Sequence, residues 1–340
     1  MFLNKYIVPF KSLKGKSSSE CLKKHHKPLK IWQQWLVWQQ SRIFVVTWAV
    51  PKHCEGEMKK ISDFVIYSNL LIAAGASCFI LETYILFDLK IQGLYALIGF
   101  AATLFTYNVD RLVVLKGLAK TGSERHNWIV NSSKLMIAMS LGCIVFLGIS
   151  LFYLPPRIIM FLAVMGLVSI AYSVPILGKG VRTLRSIKLL KIFLINGVWA
   201  ASTVFMPLIA SHVPILQRDV VLLFIERSLF IFAITLPFDI RDHESDKESG
   251  VKTIPGLIGL SATKWLAFFC LLVYFLVNLV HYDFHSGILL AKLLSGLSTL
   301  VIVLFVKQGR HEYYFTGLLD GTIIIQFVLV TCLAHVTFFF

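Results

Sequence analysis

The chain has 340 residues, 57% of them hydrophobic, with a mean hydropathy of +0.76 and a formal net charge of +15. A soluble protein of this length would carry more charge and fewer long apolar runs, so the composition points to a polytopic membrane protein. The positive charge is not a nucleic-acid footprint, because the basic residues fall in short loops between apolar runs, where membrane topology demands them.

Residues 1–57 differ from the rest. Lys11, Lys14, Lys16, Lys23, Lys24, Lys27 and Lys30 are followed by Trp32, Trp35, Trp38 and Trp48. A basic, aromatic segment of this kind suits an anionic membrane surface. The competing expectation is an extension without a part in activity, with Met58-Lys59-Lys60 as the natural start. No cleavable signal peptide is expected at the beginning. Six cysteines (Cys21, Cys54, Cys78, Cys143, Cys270, Cys332) are scattered singly, so neither a zinc site nor a disulfide framework is expected.

From residue 58 onward the apolar runs predict an all-α bundle of nine transmembrane helices. They fall at about 63–82, 91–109, 134–153, 158–176, 188–210, 220–238, 263–281, 287–306 and 315–339, each near the ~20 residues that a bilayer requires. Lys and Arg gather before the first span and after the second, fourth, sixth and eighth. The positive-inside rule makes that side cytoplasmic, with the N-terminus inside and the C-terminus outside.

Three stretches on that side carry chemistry. The second span ends in Tyr107-Asn108-Val109-Asp110-Arg111, an ionisable pair at a span end that is either functional or an interface anchor. After the fourth span come Tyr172-Ser173-Val174-Pro175, Gly178 and Gly180, then Arg182, Arg185, Lys188 and Lys191. Arg and Lys are the side chains that hold phosphate oxygens, although each alone is equally a topology signal. Lys188 and Lys191 stand at the mouth of an apolar span, where a bare cation is costly. After the sixth span runs Asp239-Ile-Arg-Asp242-His-Glu-Ser-Asp246-Lys-Glu-Ser-Gly250-Val-Lys252-Thr253-Ile-Pro255. Aspartates at i, i+3 and i+7 share one helical face and repel one another unless a cation lies between them. Mg²⁺ characteristically takes one or two carboxylates plus substrate phosphates.

Asp239, Asp242, Asp246, Gly250 and Thr253 meet the pattern D-x-x-D-x-x-x-D-x-x-x-G-x-x-T, and in this the chain resembles the UbiA superfamily of intramembrane prenyltransferases. Tyr172 to Pro175 and Leu184-Arg185 with Lys188 are also similar to that family, over about residues 58–340. The family's first motif, N-x-x-x-D-x-x-x-D, is met in part. Asp110 takes the middle position, Thr106 stands for the asparagine, with Asn108 two residues on, and Val114 stands for the last aspartate.

The resemblance implies a nine-helix UbiA-like bundle that moves a polyprenyl group from its diphosphate to an aromatic or lipid-like acceptor. It implies Mg²⁺ on Asp110, Asp242 and Asp246, which are also the catalytic set. Substrate contacts are implied for Asn108, Arg111, Tyr172, Arg185, Lys188, Lys191, Asp239 and Lys252, with Asp239 orienting Arg241 or Lys252. Tyr107 and Tyr172 would face the allylic cation. The partners implied are a polyprenyl diphosphate, the acceptor and membrane lipid, with no nucleic acid. The missing carboxylate at Val114 keeps open a non-catalytic scaffold or lipid-binding relative. A transporter is disfavoured by carboxylates at one membrane face, and a CDP-alcohol phosphotransferase by the absence of D-G-x-x-A-R.

Overall fold

The computed structural model describes residues 52–115, 124–173, 190–248, 251 and 253–336. The chain divides into Met1–Met58 and Lys59–Phe340, and the second unit holds the bundle. In order, its helices are α1 (Lys52–Tyr67), α2 (Leu70–Leu86), α3 (Gly93–Leu115), α4 (Glu124–Asn131), α5 (Ser133–Ser150), α6 (Pro156–Ser173), α7 (Leu190–Ala210), α8 (Arg218–Glu248), α9 (Ile254–Ile258), α10 (Leu260–His281), α11 (Gly287–Leu304) and α12 (Asp320–Leu333). A π-helical stretch, Tyr313–Leu319, leads into α12.

Each of the nine predicted spans contains helix, and no strand occurs among the described residues. Six helical segments there are long and apolar enough to cross a membrane, or seven if the bent pair α1–α2 is one span. The chain is therefore an integral membrane protein. The helices α3 and α6, predicted as the second and fourth spans, are not among those six. Tyr107, Asn108, Asp110 and Arg111 interrupt the apolar sequence of α3 before its last turn.

The bend between α1 and α2 is 60°. It occurs at Asn69, whose φ of 65° is left-handed, a conformation that asparagine tolerates better than most residues. Helix α2 then packs on α3, α7 and α12, while α8 packs on α7 and α10. Pro237 lies inside α8, so one intrahelical hydrogen bond is missing two residues before Asp239.

Deep in the bundle, four helices meet at one carboxylate oxygen. Glu82 Oε1 on α2 accepts from Lys292 Nζ of α11 at 2.6 Å, Gln326 Nε2 of α12 at 3.0 Å and Arg227 Nη2 of α8 at 3.2 Å. Lys292 also reaches Glu226 Oε1 at 2.8 Å, and Tyr282 and His281 close around the same carboxylate. Arg227 donates to the Phe79 carbonyl oxygen and lies over the Phe79 ring. Glu82, Glu226 and Lys292 are fully buried and Arg227 nearly so. A charge in hydrocarbon is tolerable only when paired, so these residues specify which helices must be neighbours.

At the N-terminus of α11, just before Lys292, the backbone itself is close-packed. Gly287 N–H donates to the Val336 carbonyl at 2.8 Å. A Cβ at Gly287 would stand 1.9 Å from the Leu333 carbonyl oxygen and 2.6 Å from that of Val336.

Three stability outcomes are expected in detergent thermal unfolding. Lys292→Met leaves two buried carboxylates short of a cation and lowers stability by about 3–5 kcal/mol. Gly287→Ala forces backbone apart and lowers it by about 1–3 kcal/mol. Gly148→Ala, with nothing within 4 Å of the new Cβ, leaves it unchanged or raises it.

Candidate active site

At the opposite end of α8 from Glu226 a cavity of about 240 Å³ opens into the bundle. The distance along the helix is set by the 13 positions between Glu226 and Asp239, roughly 20 Å at 1.5 Å per residue. The cavity mouth is polar: Asn69, Asp110, Arg111, Arg125, Asp239, Arg241 and Asp242 line it. Its depth is apolar: Ile72, Leu194, Val198, Trp199, Ile231, Ile234, Phe238 and Ile323. Tyr107 stands edge-on to Trp199 in the wall, with ring centroids 6.4 Å apart.

Three guanidinium groups dominate the mouth. Arg241 forks onto Asp242, with Nε–Oδ1 at 2.7 Å and Nη2–Oδ2 at 2.9 Å. Its third nitrogen, Nη1, donates to Glu312 Oε2 at 3.1 Å, and the planar group lies over Phe238 and Phe315. Arg125, on the short helix α4, shares that Glu312 oxygen at 3.0 Å. The Arg125 side chain is only 7% exposed, and its Nε and Nη2 have no acceptor among the described residues. Burial and the neighbouring Arg111 and Arg241 push the Arg125 guanidinium down to about 9, against the pull of Glu312 and Asp242. Arg111 lines the cavity beside them. Buried cations with unfilled donors make an anion site, and guanidinium forks suit phosphate oxygens.

Asn108 is fully buried behind the wall, and its Oδ1 accepts from Asn69 Nδ2 at 2.8 Å. It is not a lining residue. The left-handed turn at Asn69 thus serves to hold the end of α3. Asp239 was expected to orient Arg241 or Lys252. Arg241 bonds to Asp242 and Glu312, and Asp239 lines the same cavity. Asp246 lies one turn beyond Asp242 and does not line the cavity. Arg185, Lys188 and Lys252 fall outside the described residues, as do the side chains of Tyr172 and Lys191.

No three His, Cys, Asp or Glu side chains among the described residues are grouped to hold a metal ion. Asp110, Asp239 and Asp242 nevertheless share one cavity wall. Mg²⁺ usually completes its shell with substrate phosphate oxygens and water. The donor set therefore fits an ion shared with a bound phosphate, and not a pre-formed cage.

Sequence reasoning missed Arg125, Glu312, Asp320 and Asn69. Arg125 was counted only toward topology, and Glu312 and Asp320 stand singly around the last span. A usable signal was present in Asp320, an acidic residue inside an apolar run.

No family model matches the chain, and no curated protein does. A solved structure from a study of digeranylgeranylglyceryl phosphate synthase in membranes is similar over 81% of this chain and 99% of its own. Its TM-score is 0.48 and the sequence identity 14%.

The bridging role of Glu312 is open to measurement. Glu312→Gln keeps the shape but removes the charge between Arg125 and Arg241. Leaving two buried cations short of an anion lowers thermal stability by about 1–3 kcal/mol. Added inorganic diphosphate should restore a larger share of stability to this variant than to the wild type.

Proposed function

We propose that the chain is an integral-membrane prenyltransferase, moving a polyprenyl group from its diphosphate to an aromatic or lipid-like acceptor. The observation behind this reading is the cavity itself, with three guanidinium groups at its mouth and an apolar depth lined by Trp199, Phe238 and isoleucines. An amphiphile with a polyanionic head and a hydrocarbon tail matches both ends. The D-x-x-D-x-x-x-D pattern beginning at Asp239, read from sequence alone, supports the same head group.

In this reading Arg111, Arg125 and Arg241 bind the diphosphate through charge-assisted hydrogen bonds. Asp110 and Asp242, the latter giving up part of its Arg241 fork, would hold Mg²⁺ together with phosphate oxygens, and Asp246 would need to turn inward to join them. The ion would draw charge from the departing diphosphate as a Lewis acid. Trp199 and Tyr107 shield the allylic carbon from water and offer π faces to developing positive charge. The mouth is assigned to the cytoplasmic side, with nine crossings, the N-terminus inside and the C-terminus outside. Residues 1–57 remain an extension to that domain.

The test is retention of tritiated geranylgeranyl diphosphate by the purified full chain, with Mg²⁺ and after chelation. Wild type should retain the label, and chelation should weaken retention. Arg125→Gln should lose about tenfold or more, the value of one to two hydrogen bonds to a charged group. Equal retention by wild type and Arg125→Gln, or none by either, would sink the reading. Transfer of label to an acceptor separates an enzyme from a lipid-binding scaffold.

A further inference from the structure

Asp320 is a carboxylate on the cavity wall to which the diphosphate reading gives no role. It opens α12 directly after the π-helical stretch, and π-helical turns are frequent at functional sites. With Thr316 and Ile323 it places one face of that helix in the cavity. The residue is 7% exposed. No hydrogen bond or ion pair reaches its carboxylate among the described residues, although Arg241, Arg125 and Arg111 all act on it through space. A buried acceptor normally has a donor. Here the open position is the cavity.

Its depth distinguishes it from the mouth aspartates. Asp320 stands less than about two turns from Gln326, which bonds to Glu82 in the buried ionic network. On α8, Asp239 stands more than about three turns from Glu226 of the same network. Asp320 therefore lies on the side of the apolar chamber, near Tyr107, whose ring feels its charge. A carboxylate there repels phosphate and accepts from O–H.

We propose that Asp320 binds the hydroxyl of a hydroxyl-bearing acceptor and takes its proton during prenyl transfer. This rests on the prenyltransferase reading above. The C1–O bond of the prenyl diphosphate breaks, and both electrons leave with diphosphate. A lone pair of the acceptor oxygen forms the new bond to C1, giving an ether. The hydroxyl proton passes to the Asp320 carboxylate and from there to solvent through the polar mouth. The groups that face Asp320 while it does so are Arg111 and Tyr107 from α3, Arg125 from α4 and Arg241 from α8. Burial disfavours the charged carboxylate, and these three cations act against that penalty.

The experiment uses the full chain in nanodiscs with tritiated geranylgeranyl diphosphate and a panel of hydroxyl acceptors: 1-octanol, a monoacylglycerol and 4-hexylphenol. Wild type should retain the donor and form labelled ether. Asp320→Asn should retain the donor within about twofold and form ether about 10²- to 10⁴-fold more slowly, the usual worth of general-base catalysis. The wild-type rate should fall on the acid side, and the Asn variant should lose that limb. Asp320→Glu, which restores the base one methylene farther out, should recover much of the rate. Unchanged transfer by Asp320→Asn overturns the proposal while leaving the enzyme reading intact. So does a wild type that retains donor but alkylates no hydroxyl. If Asp320→Asn does not fold, a folded Asp320→Glu with wild-type donor retention and no measurable ether formation overturns it. A wild type that retains no donor removes both readings together.

Discussion

The contact on which the bundle depends is the one around Glu82 Oε1. Three donors from three other helices converge on it, and Lys292 carries the connection on to Glu226. Ionised groups in a medium without water bring a large desolvation penalty, offset only if each finds its partner. The helices α2, α8, α11 and α12 cannot slide or rotate past one another without breaking that arrangement. This has a consequence for the cavity. Asn69 immediately precedes α2, Asp239 and Arg241 stand on α8, and Asp320 opens α12. The polar groups that these three helices bring to its wall are thus fixed in register by bonds made roughly 10–20 Å away.

Between the two polar centres lies an apolar layer. On α2 it is Ile72 and Phe79, on α8 Phe230 and Ile231, on α12 Ile323. Phe79 stacks edge-on against Phe230, and Phe230 against Tyr274, so the layer is continuous side-chain packing. A cation moving through the bundle would have to leave one charged centre and cross this layer before reaching the next. The fold therefore suits a chamber closed at its inner end better than a transport path. Transport had been disfavoured from sequence because carboxylates seemed to cluster at one face. Glu82 and Glu226 contradict that premise, and the apolar layer supplies the better reason.

Local patterns were legible in the sequence, and long-range ones were not. The aspartates from Asp239 to Asp246 declare themselves by spacing, and the runs of apolar residues mark where helix forms. Each predicted span contains helix, and six helical segments among the described residues are long and apolar enough to cross a membrane. Glu82, Arg227 and Lys292 were invisible because a single charge inside an apolar run hardly lowers its mean hydropathy. Their meaning lies in partners more than 140 residues away along the chain. Arg125 was hidden differently. A basic residue in a cytoplasmic loop already has a sufficient explanation in topology, and only burial reveals that it has a second one.

Glu312 shows how the mouth balances its charge. One carboxylate oxygen serves both Arg125 and Arg241. Asp242 occupies the other edge of Arg241, while two nitrogens of Arg125 remain open. The arginines are therefore unequal. Arg241 is held by two carboxylates and two aromatic rings, one on α8 and one on the π-helical stretch, and would have to share its fork with an anion. Arg125 is anchored by one oxygen and keeps the rest of its fork toward the cavity. An incoming anion meets a cation already desolvated and already oriented, so little of the binding free energy is lost in ordering it. In the prenyltransferase reading, the short helix α4, which no hydropathy argument would single out, is thereby the element whose arginine would meet the phosphate at the entrance.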